Sequence, residues 1–171
     1  DILNNLPHQS TSFIGREAEL DEVKALLCKG RLLTLLGMGG LGKTRLELQV
    51  AAESIHLFPD GAWFIDLSTL REEALVVAEA VQILGVKADP GRTPLQSLCA
   101  HLRTQRALLI LDNCEHLVKP AAELALAVLR AAPHVRIIAS SREALHVPGE
   151  QSFPLRPLPL PGRDANVTQL A

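Results

Sequence analysis

The chain has 171 residues, 47% of them apolar and 21% charged, which suits one domain with a buried core and excludes a disordered segment. Lys and Arg number 17 against 19 Asp and Glu, for a net charge of −2, so no overall positive field exists to hold a nucleic-acid backbone and direct nucleic-acid binding by this segment is not expected. Three cysteines, Cys28, Cys99 and Cys114, are too few for a disulfide framework and suit the reducing cytoplasm, and no apolar run approaches the roughly 18–20 residues of a membrane span.

From the amino terminus, Ser12 to Glu17 reads as the entry to a helix with Gly15 as a joint, and Leu20, Val23 and Leu27 then repeat at helical spacing. Arg31 to Leu36 is a predicted strand. A glycine-rich stretch follows, and a helix begins at Lys43. Ala62 to Leu67 is the second predicted strand, in which Trp63 and Phe64 read as packing residues. Helices are expected where Val77, Val81 and Leu84 recur, and again at Leu95, Leu98 and Leu102. Ala107 to Leu111 and Val135 to Ala139 are apolar strands separated by a helix carrying Leu117, Ala121, Leu124 and Val128. A weaker strand lies at Ser152 to Leu155, inside a stretch where prolines 148, 154, 157, 159 and 161 signal an exit linker. Strands alternating with helices predict an α/β fold with a mostly parallel sheet covered on both faces. None of the leucine stripes persists for three heptads, so burial against a sheet explains them better than a dimerisation zipper. The chain opens without Met and stops at Val167 to Ala171 without a helix-stop signal, which is expected of a segment of a larger protein.

Gly37-Met38-Gly39-Gly40-Leu41-Gly42-Lys43-Thr44 matches G-x-x-x-x-G-K-[ST] between a predicted strand and a predicted helix. Glycines let successive backbone N–H groups converge on phosphate oxygens, the helix amino terminus adds positive potential, Lys43 reaches the terminal phosphates, and the Thr44 hydroxyl suits Mg²⁺. These residues and Arg45 form the expected nucleotide-binding set. Leu108-Leu109-Ile110-Leu111-Asp112 ends an apolar strand in an acid, the expected metal partner of Thr44. Asp112 lies 68 residues beyond Thr44, room for a further strand and two helices, so its strand is not the next one in sequence. The position after it is Asn113, and Glu115 is the nearest carboxylate able to orient an attacking water. Arg142 follows a strand end at Ser140-Ser141, where a guanidinium could contact a γ-phosphate and separate ATP from ADP.

Together, Phe13-Ile14-Gly15-Arg16-Glu17, the 37–44 loop, Leu108 to His116 and Ser140-Ser141-Arg142-Glu143 resemble the STAND class of signal-transduction P-loop ATPases. The resemblance is closest to the NB-ARC-like modules of large bacterial LuxR-type and SARP-type transcriptional regulators. It implies a three-layer P-loop NTPase with a five-stranded sheet of order 5-1-4-3-2. It also implies an ATP/ADP-binding, Mg²⁺-dependent switch with slow or absent hydrolysis, other domains of the same protein as partners, and nucleotide-dependent self-association. By the same likeness Phe13, Ile14 and Arg16 flank the adenine and Arg142 is the first sensor arginine. Residues 1–161 would form the nucleotide-binding domain and 162–171 the start of a linker to a helical lid.

Rival classes are a non-hydrolysing assembly scaffold, suggested by Asn113; a GTPase, for which Val86-Lys87-Ala88-Asp89 is a poor guanine-reading match; and a small-molecule kinase, for which no arginine cluster binds an acceptor. The pairs Cys99-x-His101 and Cys114-x-His116 lack the spacing of structural zinc sites.

Overall fold

A computed structural model describes residues 1–9 and 15–157 of the chain. Helix α1 (Glu17–Lys29) leads into β1 (Leu32–Leu36) and α2 (Lys43–Ser54), followed by β2 (Ala62–Asp66), α3 (Ala74–Leu84) and α4 (Pro94–Leu102). The second half runs β3 (Leu108–Asp112), α5 (Val118–Ala131), β4 (Arg136–Ser141) and β5 (Glu150–Pro154). Every strand pairing is parallel, and the sheet order β2-β3-β4-β1-β5 is the expected 5-1-4-3-2 order read from the other edge. The strand bearing Asp112 is therefore separated from β1 by β4.

The two faces of the sheet bury different sets of side chains, as the period-two alternation of a strand requires. Leu33, Leu35, Leu108, Ile110 and Ile138 pack with Leu20, Val23 and Leu27 of α1 and Leu46, Val50 and Ala51 of α2. Leu109, Leu111, Ile137 and Ala139 pack with Val76, Ala80 and Leu84 of α3, Leu98 and Leu102 of α4, and Ala121, Leu124 and Val128 of α5. This is a three-layer fold with a core on each side of the sheet. Local chemistry sets several element ends. Thr93 and Gln96 form a reciprocal capping box at the start of α4, with Pro94 in its first turn. Gly85 closes α3 in the left-handed region at φ 66°.

One sequence expectation is refined. In α3 the deepest residues are Val76, Ala80 and Leu84, while Val77 and Val81 lie at the margin of the core. Leu84 is buried as expected, and the inward positions one and two turns before it are Ala80 and Val76. No helix starts at Arg142 and Glu143; a loop runs to β5 instead. The Glu150 carboxylate accepts the backbone N–H of Leu145 and of His146 and the Thr34 hydroxyl (2.8, 3.0 and 2.6 Å), giving those amides partners outside any helix. The weaker strand expected inside the proline-rich stretch is β5, an edge strand paired with β1, where Pro154 at the strand end costs no interior ladder bond. Among the described residues no helix is long and apolar enough to cross a membrane.

Candidate functional site

The P-loop leaves the carboxyl end of β1 and enters α2, and its first residue is tied to the neighbouring strand: the Gly37 N–H donates to the Ser141 carbonyl at 3.1 Å. Gly40 and Gly42 take φ of 83° and 86°, a region unfavourable for a side chain, and Gly42 is the residue that caps α2. Nothing lies within 4 Å of where a Cβ on Gly40 would be, whereas Leu41, Arg142 and Arg16 side chains border Gly37, Gly39 and Gly42, so the turn is open at Gly40. No acidic residue occupies the first turn of α2 itself; the carboxylates that approach this positive helix end, Glu115 and Asp112, come from other parts of the chain.

Lys43 is only 6% exposed. Its ammonium donates to the Gly37 carbonyl and to Glu115 Oε1, the latter at 3.0 Å, with Glu115 itself 11% exposed. Glu115 therefore forms an ion pair with Lys43, the lysine of the G-x-x-x-x-G-K-[ST] motif. Asp112, 2% exposed, stands at the end of β3 facing α2. The Thr44 hydroxyl lies 2.9 Å from both of its carboxylate oxygens, Ser140 Oγ donates to Oδ1 at 2.7 Å, and Asn113 Nδ2 donates to Oδ2 at 2.9 Å. Asn113 has a left-handed backbone (φ 61°), which turns its amide back onto Asp112 and, at 3.4 Å, towards Asp66. The residue that replaces an acid after Asp112 thus orients Asp112 rather than facing the loop.

Arg142 lies at the top of β4, next to β1 in the sheet, with Nη2 3.6 Å from where a Cβ on Gly39 would sit. Strand order alone brings these two residues together. Arg16 is buried, and its guanidinium is engaged: Nη1 pairs with Glu19 at 2.6 Å, while Nη2 donates to the carbonyls of Leu41 and Arg156 at 2.6 and 2.8 Å. It ties the P-loop to the segment that leaves β5. Arg45 is exposed on α2 and its carbonyl accepts from Gln9, and Met38 is 68% exposed at the tip of the loop. Phe13 and Ile14 lie outside the described residues.

Sequence reasoning passed over one acidic side chain here. Glu47, one turn beyond Thr44 on α2, is fully buried, and both of its carboxyl oxygens lack a hydrogen bond. Burial foremost, then the neighbouring charge of Asp112, pushes its carboxyl well above the usual carboxylate range. The signal was available in the sequence: position 47 falls on the apolar arc with Leu46, Val50 and Ala51, where a charged residue needs a reason.

The residues present fit a nucleotide with its metal. An empty amide-lined turn, a cation, a hydroxyl-carboxylate pair and a second cation surround one opening, the donor set that a polyphosphate and a hard divalent ion require. Comparison with known proteins agrees. A Mycobacterium tuberculosis protein, Rv0894, is 39% identical over 150 residues, 88% of this chain and 38% of its own length. The putative HTH-type transcriptional regulator Rv0890c of the same organism is 42% identical over 128 residues, 75% of this chain and 14% of its own. The chain therefore spans well under half the length of these relatives. Among solved structures, the STAND protein with a tetratricopeptide repeat sensor from Pyrococcus horikoshii, PH0952, shares the fold with a TM-score of 0.60 at 16% identity, over 87% of this chain and 24% of that one. The profile of the NB-ARC domain matches residues 16–144, from the clamp arginine to just past Arg142, and the chain belongs to the NB-ARC family of P-loop ATPase-like domains.

Proposed function

We propose that this chain is the nucleotide-binding switch of a larger cytoplasmic transcriptional regulator, holding ADP in one state and ATP with Mg²⁺ in the other. The observation that carries the reading is the convergence of Lys43, Thr44, Asp112 and Arg142, from three different elements, on one open glycine turn. The backbone amides of 37–44 and the α2 amino terminus hold the α- and β-phosphates, and Lys43 bridges to the terminal phosphate. Thr44 and Asp112 would hold Mg²⁺, which would neutralise phosphate charge. Arg142, above Gly39, meets the γ-phosphate that ATP has and ADP lacks, so its loop is the element that distinguishes the two nucleotides. Residues 1–161 constitute the nucleotide-binding unit, with 162–171 leading towards a further domain. The name of Rv0890c supports an output in transcription.

Hydrolysis is slow or absent in this reading. Asn113 occupies the position of the usual second acid, and Glu115 is held by Lys43 rather than aimed at a water. The same two observations favour the rival reading, a scaffold that keeps nucleotide without turning it over. Calorimetric titration of the full-length protein with ADP and ATP, with and without Mg²⁺, tests the binding. Micromolar or tighter affinity abolished by excess unlabelled ATP but not by GTP is expected, and equal competition by GTP overturns the adenine assignment. Phosphate release that changes with self-association would exclude the scaffold.

A further inference from the structure

At the end of the sheet opposite the P-loop, three adjacent strands each bring in an arginine. Arg31 immediately precedes β1, Arg136 opens β4 and Arg106 stands two residues before β3, and these strands are neighbours in the order β3-β4-β1. Leu32 pairs with Ile137 and Leu108 with Arg136, so the register sets Arg31 beside Arg136 and brings Arg106 in from the other side. Like charges on neighbouring strands are destabilising, and among the described residues no carboxylate forms an ion pair with any of the three. Asp60, the acid at this corner, accepts the Arg106 backbone N–H at 2.7 Å instead. Main-chain carbonyls take Nη1 and Nη2 of Arg31 and Nη1 of Arg136, but a carbonyl is a dipole and leaves the net charge in place. The buried Arg31 Nε has no acceptor, and the Arg106 guanidinium has none among the described residues. Burial foremost, then the charge of Arg136, lowers the Arg31 pKa, as an uncompensated neighbouring cation does.

All three arginines line one cavity of about 380 Å³, together with His134, Leu57 and Phe58. Leu57 is 44% exposed, an apolar side chain left in solvent beside the cations. A concave site of this volume, with an apolar lining and a few charged groups, has the make-up of a small-molecule pocket. The net charge of −2 supplies no wider positive field for a long polyanion. We propose that this cavity binds a small organic anion, its carboxylate or phosphate held by Arg106 and Arg136 and its apolar body against Leu57 and Phe58. Arg106 is exposed, so its planar fork is available to both oxygens of an acid, and Arg136 has donors beyond the one given to Leu27. Arg31, whose Nη groups are committed to carbonyls, contributes charge rather than a hydrogen bond. The site stands at the other end of β1 from Gly37 and shares no residue with the nucleotide site.

The proposal does not depend on the nucleotide reading, and the experiment keeps the two apart. Phenyl phosphate and phenylacetate are titrated calorimetrically into the full-length protein, with inorganic phosphate and acetate as their counterparts without an apolar body. The same titrations are run on Arg106→Gln, on Lys43→Ala and on Arg71→Gln, which removes the same charge from an exposed arginine between β2 and α3. Because the Arg106 side chain is exposed and holds no partner among the described residues, its replacement leaves the fold intact. At least one aromatic anion is expected to bind in the millimolar range or tighter, with its small counterpart about tenfold weaker. Arg106→Gln should weaken that binding about tenfold, while Lys43→Ala and Arg71→Gln stay within about twofold of the parent. Preference for one aromatic anion over the other identifies the acid and supports the site in either case. No binding of either at about 10 mM overturns the proposal, as does a small counterpart that binds as tightly as its aromatic partner. Affinity kept in Arg106→Gln, lost in Lys43→Ala, or lost equally in Arg71→Gln overturns it too, the second by placing the anion in the P-loop.

Discussion

Cations gather at both ends of the parallel sheet, and the two ends use them differently. At the amino edge, Arg31 Nη1 donates to the Leu129 carbonyl at 2.9 Å, and its Nη2 serves the carbonyls of Ala132 and Val135. Arg136 likewise donates to the Leu27 carbonyl at 2.6 Å. Leu129 and Leu27 lie in the last turns of α5 and α1, where helix dipoles favour positive charge, and Ala132 and Val135 follow on the way to β4, so the bonds are structural. Burial and the neighbouring Arg136 both lower the Arg31 pKa, and the carbonyls hold it in place regardless. At the carboxyl edge, Lys43 sits at the amino end of α2, where the dipole disfavours it, and Arg142 faces a turn of bare amides. At the amino edge the cations are held by main-chain carbonyls, whereas at the carboxyl edge Lys43 is balanced by the Glu115 side chain, a partner that an incoming anion could displace. Similar side chains thus meet fixed or exchangeable partners according to which end of a helix they lie at.

That contrast can be broken most directly at Lys43. Lys43→Ala should weaken ADP and ATP binding by about 100-fold, ~2.7 kcal/mol, in calorimetry, while the unfolding midpoint barely moves. Undiminished binding would remove the lysine from the site. Arg31→Met should do the opposite, destabilising the chain by about 2 kcal/mol in urea unfolding with nucleotide affinity kept within about twofold. A matching loss of affinity would mean that the two edges are not independent. Gly40→Ala, at φ 83°, should cost about 1 kcal/mol of stability although no atom obstructs the new methyl. Stability equal to the parent would show that the turn is not locked in its left-handed form.

The smallest effect concerns Glu115. Because its carboxylate neutralises Lys43, Glu115→Gln should tighten nucleotide binding about three- to fivefold, under 1.4 kcal/mol, with any phosphate release no faster than in the parent. Weaker binding in that variant would show that Glu115 assists the ligand rather than competing with it.

Much of the fold was legible because the signals are local. Leu-rich strand runs, the 37–44 spacing and the acid ending β3 each depend on residues close in sequence, and all five predicted strands occur within a few residues of their expected places. The 68-residue interval indicated that the Asp112 strand is not the next one in sequence, and the order of strands in the sheet, with β4 between it and β1, came from the family resemblance. Less visible were the partners that each site residue finds. Arg16 was expected beside an adenine, and its guanidinium clamps the Leu41 and Arg156 carbonyls, a contact across 140 residues for which no spacing rule exists. Glu115 was expected to orient water, and no spacing rule foretold its ion pair with Lys43.

What the sequence by itself determined is the kind of chemistry: amides, one ammonium, one hydroxyl and one carboxylate at spacings that suit a polyphosphate and its metal, because the loop's backbone geometry is fixed by its own glycines. Which groups face one another was decided only by tertiary structure. Laying β4 between β1 and β3 brings Ser140 onto Asp112 and Arg142 over Gly39, and packing α2 against the sheet buries Glu47 behind the same carboxylate. Such contacts join positions far apart in the chain, and they exist only once burial of the two apolar faces has set the strands side by side.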